Sequence, residues 1–319
     1  MTRLVRWSAP LNLGPARSVV TLGNFDGVHL AHQEMIRRVK ARAAPSMRAC
    51  VVTFEPTPRE FFGQSSAPAR LMTLTEKHAA LRALGVDMHV SVRFDAQVAE
   101  LTPRAFVERL LHDTLRAQHI VAGHDFRFGH RRSGDVAALR VFGQEMDFAV
   151  EQVDAVMLDG AIVASTGVRA ALADGRFDHA ERLLGRPYVM TGRVVRGQQL
   201  GRTLGYPTAN IRPRRRRLPL EGVFAVTASD GASLLEHPAV ASLGTRPTVN
   251  GRGHLLEVHL FDFQGNLYGR RLTVRFVRKI RDEVRFDSLN DLTAQMHRDA
   301  REAREALADD AGRRRPDTP

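Results

Sequence analysis

One cysteine, one tryptophan and three tyrosines stand among the 319 residues of this chain. With Cys50 alone, an intrachain disulfide and a cysteine-built metal cluster are both excluded. Cys50 lies in the apolar run 49–54, where it reads as a buried strand residue and not as a nucleophile. No uninterrupted apolar run approaches the roughly 20 residues of a membrane span. The start of the chain lacks the apolar stretch of a secretory signal, so a cytoplasmic protein without a membrane partner is expected. Acidic residues are also scarce: 35 Asp and Glu face 47 Lys and Arg, a formal net charge of +12. Part of that excess sits in two compact runs, 214–217 and 313–315, read here as a solvated loop and a frayed tail. The remaining excess fits a protein whose small ligands are polyanions. A nucleic-acid binder using the arginine runs is the alternative class. The primary reading expects no nucleic acid and no obligate protein partner.

The length suits two domains better than one. Residues 17–22 read as a buried strand and 23–27 as the turn leaving it. From His29 the pattern becomes helical, with Leu30, Ile36 and Val39 on one apolar face. Strands at 49–54, 87–92 and 119–122 alternate with helices at 74–84 and 106–115. This order predicts an α/β domain with a Rossmann-like parallel sheet, whose ligands bind beyond the C-terminal strand ends. A linking helix at 177–184 ends near Gly185 and Pro187. Five short strands follow without intervening helices, at 188–195, 223–228, 239–243, 255–261 and 272–277. They predict a mainly antiparallel β-barrel, followed by a helix at 289–308. The boundary is drawn at 185, giving domains 1–185 and 186–319.

Two stretches carry chemistry. Residues 21–32 read Thr-Leu-Gly-Asn-Phe-Asp-Gly-Val-His-Leu-Ala-His. His29 and His32 are three apart and would share a helical face, next to backbone N–H groups that suit polyphosphate. The imidazoles could donate to phosphoryl oxygens, form half of a metal site, or be ordinary surface residues, and spacing leaves these three open. Residues 201–210 read Gly-Arg-Thr-Leu-Gly-Tyr-Pro-Thr-Ala-Asn. A glycine-rich loop exposes N–H groups to phosphate, and Thr208 and Asn210 are hard oxygen donors of the kind Mg²⁺ accepts. A lone Thr-x-Asn is otherwise a common turn.

Together with Thr-Phe-Glu-Pro-Thr-Pro at 53–58, Gly-His-Asp-Phe-Arg-Phe-Gly at 123–129, Gly-Thr-Arg-Pro-Thr at 244–248 and Glu-Val-His at 257–259, these stretches resemble the bacterial bifunctional riboflavin kinase and FAD synthetase family. The resemblance covers nearly the whole chain. It implies that 186–319 phosphorylates riboflavin to FMN with ATP and Mg²⁺, and that 1–185 adenylylates FMN to FAD, releasing pyrophosphate. For the adenylyltransferase half it implies His29 and His32 as catalytic groups on the ATP phosphates. Gly23, Asn24, Phe25, Asp26 and Gly27 would shape that site, with Ser165, Thr166 and Arg169 as phosphate donors. Asp125, Phe126, Arg127 and Phe128 would lie beside the flavin. Lys77 is a weaker candidate, since a lone lysine is usually on the surface.

For the kinase half the resemblance implies an ATP site of Gly197, Gly201, Arg202, Gly205, Pro207, Thr208 and Asn210. Thr208 and Asn210 would hold the metal, Glu257 would be the general base for the neutral ribityl hydroxyl, and Arg246 and Arg281 would approach the flavin. Taken without the motif, Glu257 is an exposed strand glutamate. The chain departs from the family pattern at Ala31, where the histidine signature has glycine. It departs again at 163–169, Val-Ala-Ser-Thr-Gly-Val-Arg, where Ala164 and Gly167 replace a serine and an arginine. These departures keep a monofunctional riboflavin kinase with an impaired transferase domain as the enzyme alternative.

Overall fold

The computed structural model describes residues 2–8, 11–63, 66–197, 201, 204–248 and 251–314. The chain forms two compact units. The first comprises Met1–Pro68 and Leu74–Ser165, the second Ala69–Thr73 and Thr166–Pro319.

In the first unit, six strands form one parallel sheet: β1 (Arg3–Trp7), β2 (Ser18–Leu22), β3 (Arg48–Glu55), β4 (Met88–Arg93), β5 (Ala117–Gly123) and β6 (Ala149–Val153). Their order is β1-β4-β3-β2-β5-β6. The helices are α1 (Leu30–Arg42), α2 (Pro58–Gly63), α3 (Leu74–Ala83), α4 (Ala96–Ala99), α5 (Pro103–Phe106) and α6 (Val136–Met146). The helix expected at 106–115 is instead α5 running into a π-helical stretch, Val107–Thr114. Every residue of β2 is buried, as a strand covered on both faces requires. Cys50 is fully buried too, and burial pushes its thiol up to about 11, which leaves it inert at neutral pH. After β2 the chain builds β3 and β4 on one side, then crosses to β5 and β6 on the other. The crevice beyond β2 and β5 is therefore the topological switch point of the sheet.

A short hairpin of β7 (Met157–Leu158) and β8 (Ala161–Ile162) follows, then α7 (Ser165–Ala173) and α8 (Phe177–Leu184). The second unit is a closed barrel of β9 (Val189–Val195), β10 (Ala209–Ile211), β11 (Gly222–Ser229), β12 (His237–Thr248), β13 (Gly251–Leu260) and β14 (Arg271–Arg281). Its neighbours run β10-β13-β12-β11-β14-β9, all antiparallel, and β9 returns to β10. β10, only three residues long, closes the barrel.

Helix α9 (Leu289–Arg314) lays Ala300, Ala303, Ala306 and Leu307 against Val223, Ala225, Val240 and Phe261 of the barrel. Small side chains permit close approach, and ion pairs fix the seat. Arg275 donates to Asp310 at 2.8 Å with both side chains buried, and Arg281 grips Asp299 through two bonds of 2.8 and 2.6 Å.

Arg214, Arg216, Arg217, Arg313 and Arg314 are exposed, as a solvated loop and tail require, but Arg215 departs from that picture. Arg215 is 6% exposed, and its guanidinium donates to the carbonyls of Arg70, Leu71 and Pro213. Backbone carbonyls, which composition does not reveal, draw it inward. Arg313 and Arg314 belong to α9, where Arg314 pairs with Asp310 and with Glu181 at 2.8 Å. Arg315, Pro316 and Asp317 lie outside the described residues.

Two candidate nucleotide sites

In the first unit, β2 delivers the chain into residues 23–29 at the switch point. The Gly23 N–H still donates to the Val52 carbonyl at 3.1 Å, so the turn begins after it. Phe25, Gly27 and Val28 then take positive φ values of 46°, 94° and 45°. Gly27 tolerates this; a bulky or β-branched residue there costs about 1–3 kcal/mol. Phe25 and Val28 are both fully buried, so packing holds the turn against that cost.

The left-handed step at Val28 puts His29 before the helix and not on it. His29 is the N-cap of α1, extended at φ −71° and ψ 173°, with no side-chain capping bond. His32 occupies the first turn, and the two rings nevertheless stack with centroids 3.6 Å apart, while Phe25 packs on His32 at 4.7 Å. The first turn of α1 contains no acidic residue, so none of its own carboxylates offsets the positive end of the helix dipole. The expected pairing of the histidines is met by a different local geometry. Ala31 is half-buried beside them.

Other expected residues land less simply. Ser165 donates from Oγ to the Asp26 carbonyl at 2.7 Å, which commits the hydroxyl proton to the loop. Thr166 and Arg169 belong to the second unit, where Arg169 Nε donates to the Ala69 carbonyl. Lys77, expected on the surface, is 2% exposed, and its Nζ donates to the Asn24 carbonyl at 2.5 Å. Beside it, His89 bonds Thr53 Oγ1 at 2.8 Å and approaches His78 Nδ1 at 3.4 Å. Burial first, then the Lys77 and His78 charges, push the His89 imidazole down to about 3.

The 123–129 loop leaves β5 next to β2. Asp125 is exposed, and Arg127 pairs with Asp135 at 3.1 Å. Phe126 is half-buried, and Phe128 is a core residue that stacks on Phe126 at 5.4 Å and meets Phe106 at 5.9 Å. Sequence reading overlooked a second aromatic group near the ends of β3 and β4. There Phe94 meets Phe54, Phe61 and Phe62 at centroid distances of 5.9, 5.4 and 5.9 Å. Phe62 is 69% exposed, an unusual position for so large an apolar side chain. The adjacent Phe61 and Phe62 just after the Pro-rich motif were the signal.

In the second unit the 201–210 motif ends on β10. Register places Asn210 opposite Glu257 on β13, and Glu257 opposite Ser242 on β12. Directly opposed residues of antiparallel strands share a face, with Cβ atoms about 4.5–5.5 Å apart. Glu257 is half-buried, between Leu256 and Val258, which are fully buried. Asn210 is buried and donates from Nδ2 to the Thr208 carbonyl at 3.2 Å. Gly197 is needed beside it: a Cβ there would lie 2.7 Å from the Asn210 amide. Gly201 accepts the Tyr206 N–H at 2.7 Å, and Gly205 turns the chain at φ 81°.

Pro207, Thr208 and Asn210 line a cavity of about 280 Å³. Its other walls include Phe263, Asn266, Leu267 and Tyr268, from the loop between β13 and β14. That loop carries no role in the sequence reading, although Phe263 and Tyr268 stand in it. The Tyr206–Pro207 corner is held from outside. Tyr206 Oη and His297 Nδ1 lie 2.6 Å apart, and His259 Nδ1 bonds the Pro207 carbonyl at 2.9 Å. Arg281, expected near the flavin, is engaged by Asp299 and sits over Phe286. Arg202 lies outside the described residues, and Arg246 is described only in its backbone, on β12.

Profiles of two families match in succession: FAD synthetase over residues 13–167 and riboflavin kinase over 184–307. The bifunctional riboflavin kinase/FMN adenylyltransferase of Pseudomonas fluorescens is 48% identical over 298 residues, covering 92% of this chain and 94% of that protein. The protein of the same name from Escherichia coli K12 is 43% identical over 305 residues, covering 95% and 97%. Among solved structures, a Streptococcus pneumoniae protein named as a macrolide-efflux protein superposes with a TM-score of 0.76 at 30% identity, covering 94% of this chain and 98% of its own. Among the described residues no helix is long and apolar enough to cross a membrane. With a parallel-sheet unit and a closed barrel in the order of the two profiles, and full-length relatives at this identity, the chain belongs to the bifunctional riboflavin kinase/FMN adenylyltransferase family.

Proposed function

We propose that residues 186–319 phosphorylate riboflavin with ATP and that residues 1–185 adenylylate the resulting FMN, giving FAD and pyrophosphate in the cytoplasm. The observation that carries the kinase assignment is the register of Asn210 with Glu257. Asn210 lines the cavity, while Glu257 stands on the neighbouring strand. ATP in the cavity would present its γ-phosphate near Thr208 and Asn210, within reach of a ribityl hydroxyl beside Glu257. The Glu257 carboxylate takes the hydroxyl proton as the new O–P bond forms and ADP leaves.

The donor set fits Mg²⁺. Thr208 and Asn210 lie on the cavity wall and supply hard oxygens of the kind Mg²⁺ accepts. A two-ligand site suits an ion that keeps several waters and the ATP oxygens. When bound, Mg²⁺ would neutralise phosphate charge on the transferring group.

Adenylyl transfer needs less proton chemistry, because the attacking FMN phosphate is already anionic. His29 and His32, stacked at the head of α1, would donate to the ATP phosphates as the α-phosphorus is attacked and pyrophosphate leaves. The exposed Phe62 and the half-buried Phe126 offer apolar surface for the flavin, a role that core-packed Phe128 does not fill. Following riboflavin, FMN and FAD together with ATP and Mg²⁺ tests the proposal. Sequential appearance of FMN and FAD supports two working sites. FMN accumulating without FAD would establish the monofunctional alternative that Ala31, Ala164 and Gly167 motivate.

A further inference from the structure

The loop at residues 24–28 is held from behind in a regular way. Carbonyls of alternate residues each accept a bond from a side chain elsewhere in the first unit. Asn24 accepts from Lys77 Nζ at 2.5 Å, Asp26 from Ser165 Oγ at 2.7 Å, and Val28 from Gln33 Nε2 at 2.9 Å. The three donors come from α3, α7 and α1, so no single element dictates the shape. In a trans peptide the following N–H points opposite to the carbonyl. Fixing the carbonyls of 24, 26 and 28 therefore fixes the N–H directions of Phe25, Gly27 and His29. The same stretch contains the positive-φ residues Phe25, Gly27 and Val28, a conformation that persists only when its surroundings over-determine it. Successive N–H groups in such a turn form an anion-binding concavity.

We propose that Lys77, Ser165 and Gln33 are positioning residues that hold this loop in the shape that receives the ATP phosphates of adenylyl transfer. The inference rests on the assignment of that site to ATP. It changes the expected role of Ser165, which acts on the loop and not on phosphate. It also gives the buried Lys77 a task, a hydrogen bond that holds the loop from beneath.

The test uses the full-length protein and follows both activities. In Lys77→Met, the KM for ATP in FAD formation should rise at least about tenfold, with the KM for FMN unchanged within about twofold. Riboflavin phosphorylation by the same polypeptide should stay intact, which reports that the second unit is folded, while the unchanged KM for FMN reports the same of the first. Ser165→Ala should move the same parameter in the same direction, and Ser165→Thr, which keeps the hydroxyl, should recover most of the loss. Because both residues act on one loop, the loss in Lys77→Met/Ser165→Ala should fall short of the product of the single losses. An unchanged KM for ATP in Lys77→Met overturns the proposal. If that variant does not fold, the Ser165 pair decides: no effect of alanine, or no recovery with threonine, overturns it. Wild-type protein that forms no FAD from FMN would overturn the ATP assignment itself, a distinguishable failure.

Discussion

The two candidate nucleotide sites are built in opposite ways. The first is a contorted loop whose backbone N–H groups would meet the phosphates, shaped by side chains that grip its carbonyls. The second is a row of side chains on flat, paired strands, where Asn210, Glu257 and Ser242 stand abreast. The chemistry explains the contrast. Adenylyl transfer starts from an anionic nucleophile, so oriented donors and stacked imidazoles are enough. Phosphorylation of riboflavin starts from a neutral hydroxyl, so a carboxylate must be carried into place, and a strand register places it well.

The largest expected effect comes from removing that carboxylate. Glu257→Gln should lower the rate of FMN formation by about 10²–10⁴ and leave FAD formation from supplied FMN unchanged. Equal loss of both activities in a coupled assay would erase the division between the sites. The reciprocal change is smaller, because two imidazoles share the load. His29→Ala should lower FAD formation by about 10²–10³ and spare phosphorylation of riboflavin. Gly197→Ala probes the flat site without deleting any of its polar atoms. The added Cβ would lie 2.7 Å from the Asn210 amide, so Asn210 must move. Misplacement of about 1 Å can cost on the order of 10²-fold, here read as a fall in kcat/KM for ATP in FMN formation only.

How far the sequence disclosed this arrangement differs between the units for a physical reason. Residues 177–184 were read as a helix and form one over the same span, and the buried central strands announced themselves as apolar runs. The strands not foreseen are β1 and β6, the two edges of the sheet, where Arg3, Arg6, Glu151 and Gln152 interrupt the apolar pattern, the two-residue β7 and β8, and the three-residue β10. β10 has too few residues to show alternation, yet it carries Asn210 into register with Glu257. Lys77 and Arg215 were read as solvated because their residue types usually are; each is buried by backbone carbonyls that no local pattern reveals. Of the expected site residues, His29 and His32 stack and Asn210 faces Glu257, but contiguous motifs also divide: Phe128 of the 123–129 stretch packs into the core, and Thr166 and Arg169 fall in the second unit while Ser165 falls in the first. The Phe54, Phe61, Phe62 and Phe94 cluster has no contiguous signature, because it joins separate segments across the sheet.

Acid should separate the units. His89 is held neutral in the first unit, its imidazole pushed down to about 3 chiefly by burial. An unfolded histidine titrates near about 6.5, so the stability this confers is full above that value and is lost progressively as pH falls from there to the folded value. Between about pH 7 and about pH 5 the first unit should lose on the order of 2 kcal/mol. In the second unit, burial opposes ionisation of Asp310, but Arg275 and Arg314 outweigh it and hold the carboxyl below its usual range. Its contribution is retained above about pH 4 and lost only below it. Amide hydrogen exchange at both pH values, corrected for intrinsic rates, should show the larger weakening in β2–β5 and a smaller one around β13, where burial also lowers the His259 imidazole. Parallel weakening of both units would show that His89 is not the controlling group.

The smallest effect bears on the residue that most weakened the case for FAD synthesis. Gly167 lies inside α7, where glycine costs about 0.8–1 kcal/mol relative to alanine. A Cβ there would meet only the Leu183 methyl at 3.6 Å, an ordinary contact, so packing does not require glycine. Gly167→Ala should therefore raise the unfolding free energy by up to about 1 kcal/mol, measured by urea denaturation, with both activities unchanged. Gly167→Arg gains most of the same helix propensity and also restores the guanidinium of the family pattern. If FAD formation rises in the arginine variant and not in the alanine variant, the missing charge limits the first site. If neither variant alters it, the loop, its carbonyl braces and the stacked histidines carry adenylyl transfer without that arginine.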